Sequence, residues 1–153
     1  MISLYIIMLV VFFSYVGFIW IKYGVQRSIS DSYYRLPDKW KFLMTLFCWG
    51  FAVPAMIIGN TALMFLAGSF IAFVGVAAAF KESMTKEVHM IGAYGGVLFS
   101  QMSIMIDYGL WPISALFLLF STTLLLFGAK NQIWWQEILA FLLICVVLGL
   151  RAL

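Results

Sequence analysis

The chain has 153 residues, 65% of them hydrophobic and 10% charged, with a formal net charge of +3. A soluble domain carries about 25% charged residues, and one this small has too much surface per unit volume to hide so much apolar side chain. A water-soluble fold is excluded, and the composition specifies an all-α, polytopic membrane bundle with lipid as its solvent.

A spanning helix needs about 20 mostly apolar residues. Six segments answer to that length: 2–21, 42–59, 61–80, 88–106, 112–128 and 133–150. They make one transmembrane domain over 1–153. The first lacks a basic region before its apolar run and a small-residue cleavage site, so it reads as a retained helix and not a signal peptide. After it comes "QRSISDSYYRLPDK", residues 26–39, the longest polar stretch of the chain. Ser28-x-x-Asp31 has the form of a helix cap, and Asp38 suits the start of the second helix.

Pro54 interrupts the second segment and removes a hydrogen bond to Gly50. The third segment follows after Gly59-Asn60-Thr61, read as a tight turn with Asn60 as the N-cap of the third helix. The third segment carries Gly68, Ala72, Gly75 and Ala79 on one face, and the fourth carries Gly92, Gly96, Ser100 and Ser103. Small residues let backbones approach closely in lipid. These stripes place helices 3 and 4 at the centre of the bundle, or form a homodimer through one of them. Glu87 and His89 open the fourth helix, with Gln101 and Asp107 near its far end. Pro112 suits the first turn of the fifth helix.

Six spans put the first, third and fifth loops on one side. Those loops hold Lys22, Arg27, Arg35, Lys39, Lys41, Lys81, Lys86 and Lys130, eight of the nine basic residues, leaving Arg151 opposite. The positive-inside rule makes that side cytoplasmic and both termini non-cytoplasmic, in a bacterial cytoplasmic membrane. Trp20, Trp40, Trp111, Trp134 and Trp135 fall near span ends, where indoles anchor at the interface.

Cys48 and Cys145 lie inside apolar runs and read as buried thiols. One histidine and two span-embedded cysteines do not make a zinc site, so no metal and no cofactor is expected. "GAYGG" (92–96) lacks the strand and lysine of a phosphate loop, and no nucleic-acid motif is present. Membrane lipids are the expected partners.

The polar loop and His89 share one face. Ser30, Asp31 and His89 are the candidate catalytic residues, with serine as nucleophile and His89 as base. Ser28, Tyr33, Tyr34, Arg35 and Asn60 are the candidate ligand-binding residues. The competing reading makes the loop a solvated basic connector among headgroups.

"SISDSYY", "NTALMFLAG" and the His-opened "EVHMIGA" together resemble small six-helix bacterial membrane proteins. In order and spacing they are distantly similar to the CREST superfamily of membrane hydrolases. That resemblance implies a serine, an aspartate and three histidines around zinc, of which only a loop serine and His89 have counterparts here. The paired histidines of the last helix are absent. The leading expectation is a non-enzymatic membrane module binding a lipid, a small amphiphile or a partner protein. The alternatives are an intramembrane hydrolase and an oligomeric channel or transporter subunit.

Overall fold

The computed structural model describes the backbone of residues 1–79 and 86–152, and the side chains of 1–76 and 90–152. Among the described residues the chain is all helical. The long helices are α1 (Ile2–Tyr23), α2 (Phe42–Gly59), α3 (Ala62–Ala79), α4 (Lys86–Met102), α5 (Trp111–Leu126) and α6 (Gln132–Ala152). Two 3-10 turns, Ser30–Arg35 and Asp38–Trp40, lie between α1 and α2, and a π turn, Ser103–Asp107, ends α4. Each long helix falls on one of the six apolar segments. Three helical stretches, Ile2–Tyr23, Asp38–Gly59 and Gln132–Ala152, are long and apolar enough to cross a membrane, with mean hydropathies of 2.4, 2.0 and 2.2. Ala62–Val76 and Trp111–Leu126 are apolar but shorter. The chain is thus consistent with a membrane protein.

The α2–α3 turn corrects the capping expectation. Asn60 lies in the left-handed region (φ 48°, ψ 37°) and closes α2 by donating its backbone N–H to Met56 O at 3.1 Å. A short polar side chain tolerates that conformation better than most. The cap of α3 is instead Thr61, whose Oγ1 accepts the Met64 N–H at 3.1 Å.

Packing bears out the tight apposition of α3 and α4 but centres the bundle on α2. α2 is the axis of the bundle, burying Phe47, Cys48, Phe51, Ala52, Ala55 and Ile58 against α1, α3 and α6. The Phe51 ring meets Phe141 of α6 edge-on at 4.6 Å, and Phe47 stacks on Tyr15 of α1 at 4.6 Å. The glycines of α3 face α2 and not α4: a Cβ at Gly75 would lie 2.5 Å from Cys48 Cβ, and one at Gly68 3.1 Å from Ala52 O. Those of α4 face α3, where a Cβ at Gly92 would lie 2.7 Å from Val74 Cγ2. The small residues therefore set a layered order, α2 against α3 and α3 against α4. α5 is outermost and buries only Ser114 and Phe117.

One tryptophan departs from the interfacial expectation. Trp20 and Trp111 are exposed, but Trp134 is fully buried, its backbone N–H donating to Arg27 O at 3.0 Å. It wedges the start of α6 under the loop after α1.

The helix ends gather at two levels. The α1–α2 loop meets the start of α6, where Asn131 Nδ2 also reaches Val25 O at 3.4 Å. At the other end, Arg151 Nη1 donates to Gly59 O at 2.7 Å and its guanidinium lies 4.9 Å from the Tyr108 ring centre. Tyr108 Oη donates to the same carbonyl at 3.0 Å, while Ser103 Oγ bridges Thr61 Oγ1 (3.2 Å) and Asp107 Oδ2 (2.7 Å). This clasp satisfies a carbonyl that the end of α2 leaves without a helical partner.

Candidate functional site

The polar loop between α1 and α2 does not lie flat. Gly24 at φ 73° ends α1, and the buried Gln26 amide donates to the Tyr23 and Gly24 carbonyls at 2.7 and 3.1 Å. With the helix end satisfied, the chain turns inward and buries Ile29, Ser30, Ser32 and Leu36. Ser32 is fully buried, its Oγ 2.7 Å from Tyr15 Oη and donating to Ile29 O. Ser28 behaves as its pattern predicts, its Oγ accepting the Asp31 N–H at 3.0 Å. The purely solvated reading therefore fails for the first half of the loop. In the second half Tyr34 is 67% exposed and Arg35 is exposed, while Leu36 beside them is buried.

Beneath the inward turn is a partly open, mostly apolar cleft walled by α2, α3, α4 and α6. Its cavity volume is ≈ 50 Å³. Its length follows from helix rise. Glu137 to Ile144 on α6 and Gly92 to Ser100 on α4 both line it, which at 1.5 Å per residue is a slot of roughly 10 Å. Ile29, Ser30 and Glu137 line its loop end. Gly92, Ala93 and Gly96 of α4 and Ala140 of α6 are among its small lining residues.

Glu137 is the acidic side chain of this lining, and its Oε2 accepts the Ile29 backbone N–H. That bond ties the loop to α6. The carboxylate sits five residues into an apolar helix, a placement that by default marks function in a membrane segment.

The candidate residues from the sequence separate into groups. Ser30 lines the cleft, and its Oγ lies 3.0 Å from Ser28 Oγ. Asp31 is half-buried on the same turn. Tyr33 and Tyr34 pack edge-on at 5.4 Å, with the Lys41 ammonium 5.1 Å from the Tyr33 ring centre. These two and Arg35 do not line the cleft. Asn60 stands at the opposite end of the 18-residue α2, about 27 Å along its axis from the loop. The side chain of His89 lies outside the described residues. Among the described residues, no group of three or more His, Cys, Asp or Glu is placed to hold a metal ion.

Sequence reading missed Glu137, although its signal was present: one carboxylate inside the apolar run 133–150. No protein-family model, curated protein or solved structure matches the chain.

Proposed function

We propose that the protein is a six-span module of a bacterial cytoplasmic membrane that binds a single-chain amphiphile in the cleft between α4 and α6. The observation carrying this reading is the cleft itself: a narrow apolar slot that ends at a polar, inward-folded loop. The first few methylenes of an alkyl chain suit a slot of this size, its open side leading the rest into lipid, and a polar head suits Ser30 and Glu137 at its end. The topology has termini on the non-cytoplasmic side. It is supported by the two levels of helix ends, since the α1–α2 loop meets the α5–α6 connection at one level and the α2–α3 turn meets the α6 terminus at the other.

The test is ligand retention. Protein purified in lipid nanodiscs is extracted and its bound amphiphiles are quantified by mass spectrometry, beside an Ala140→Phe variant that fills the slot. Ala140 is buried and lines the cleft. The expected result is a near-stoichiometric single-chain species in the wild type and its loss in a folded Ala140→Phe protein. Equal retention by both, or none in the wild type, refutes the reading. Turnover of an ester- or amide-linked amphiphile, abolished by Ser30→Ala with retention intact, would instead support the hydrolase reading.

A further inference from the structure

We infer that the cleft selects amphiphiles with a primary ammonium head, and that Glu137 is the anchor of that ammonium. The inference rests on the amphiphile reading above and names the chemistry of its ligand.

The argument starts from an imbalance. A carboxylate offers two oxygens and about four acceptor sites, and Glu137 shows one hydrogen bond among the described groups, from the Ile29 N–H. No described lysine or arginine pairs with it, since the ion pair among described residues joins Lys41 and Asp38 at the surface. The rest of the lining is apolar apart from Ser30, Ser100 and Cys48, and the Ser100 hydroxyl already donates to Val97 O at 2.8 Å. An ionised Glu137 in such surroundings is costly without a counter-charge and donors, so a bound cation is what would let it carry its charge.

Head-group chemistries can then be ranked. An anionic head, carboxylate or phosphate, brings neither counter-charge nor donor and meets an ionised Glu137 with like charge in a weakly screened setting. A hydroxyl or amide brings a donor but leaves the charge unbalanced. A primary ammonium brings both the charge and three donors, in a group small enough to share the loop end with Ile29 and Ser30. Its alkyl chain would run along Ala140, Phe141 and Ile144.

Cys48 supplies a reporter, because it lines the cleft while Cys145, the chain's other cysteine, does not. The protein is placed in phosphatidylcholine nanodiscs and labelled with N-ethylmaleimide, and labelling at each cysteine is followed by peptide mass spectrometry. Decylamine, decanol and decanoate are the probes, and calorimetric titration of the same probes replaces labelling should Cys48 not react. Decylamine is expected to protect Cys48 at concentrations at least about tenfold below decanol, the margin of a charge-assisted over a neutral hydrogen bond. Decanoate should not protect, and Cys145 should be unaffected throughout. Glu137→Gln keeps an acceptor for the Ile29 N–H, so the loop stays tied. It should bring decylamine down to the level of decanol.

Two sources can carry the ammonium, and a second set of discs separates them. Protection by discs containing lysophosphatidylethanolamine, a single-chain aminolipid, without added probe marks a membrane aminolipid as ligand, whereas protection by decylamine alone marks a free amine. Equal protection by decylamine and decanol, unchanged in Glu137→Gln, overturns the ammonium inference while leaving the amphiphile reading standing. Absence of protection and of heat by every probe overturns both.

Discussion

Adding one methyl group at Gly75 tests the α2–α3 contact on which the bundle axis depends. A Cβ there would lie 2.5 Å from Cys48 Cβ, 3.3 Å from Trp49 Cδ1 and 3.4 Å from Cys48 Sγ. Carbon atoms in good contact sit about 3.5–4.0 Å apart, so α3 must retreat by about 1 Å. Retreat also stretches the bond from Thr45 Oγ1 to Gly75 O, now 2.9 Å. Overpacking of this kind costs about 1–3 kcal/mol, against a gain of about 0.5–1 kcal/mol for replacing a mid-helix glycine with alanine. Gly75→Ala should therefore lose about 1–2 kcal/mol in reversible unfolding by SDS in mixed micelles, followed by circular dichroism. Gly17→Ala on α1 is the control, because nothing lies within 4 Å of its added Cβ; it should be neutral or stabilising by up to about 1 kcal/mol. The clash is with Cβ, so a Cys48→Gly background should restore much of the loss and a Cys48→Ala background should not. Wild-type stability in Gly75→Ala, or rescue by Cys48→Ala, would show that the helices are not packed as described.

Substitutions at three further joints are read by the same assay. Arg151→Gln removes a 2.7 Å bond to Gly59 O and a cation over the Tyr108 ring, and should cost about 1–3 kcal/mol; combined with Tyr108→Phe the loss should exceed the sum, because the carbonyl then has neither side-chain donor. Ser32→Ala leaves Tyr15 Oη with only the Met44 sulfur at 3.4 Å and should cost about 1–2 kcal/mol, with faster proteolysis of the loop after α1. Asn60→Gly should change stability by no more than a few tenths of a kcal/mol, whereas Asn60→Val should lose about 1–2 kcal/mol in the left-handed position; equal effects of the two would refute the turn geometry.

What could be read from sequence divides along a physical line. Segment length and apolarity are properties of a single stretch, so the helices could be placed without knowing their neighbours. Partner choice is a property of pairs, and here it left little trace, because these helices are apolar nearly all round and present no single face to a core. The glycine stripes of α3 and α4 were visible as surfaces for close approach, but nothing in Gly68 or Gly75 says whether α2 or α4 fills the groove. That choice rests on Cys48, Ala52 and Met56 of α2, which are small or pliant enough to enter it. The same limit explains Trp134, which follows a loop as an interfacial anchor would, yet is sealed under the loop after α1. Glu137 is the opposite case. Its chemistry is legible in one residue, a carboxylate inside an apolar run, although the polar loop offers far more hydroxyls and charges. The structure joins the two: the loop folds inward until the Ile29 N–H reaches Glu137, and it is that junction, with the cleft beneath it, that makes a polar connector the polar end of an apolar slot.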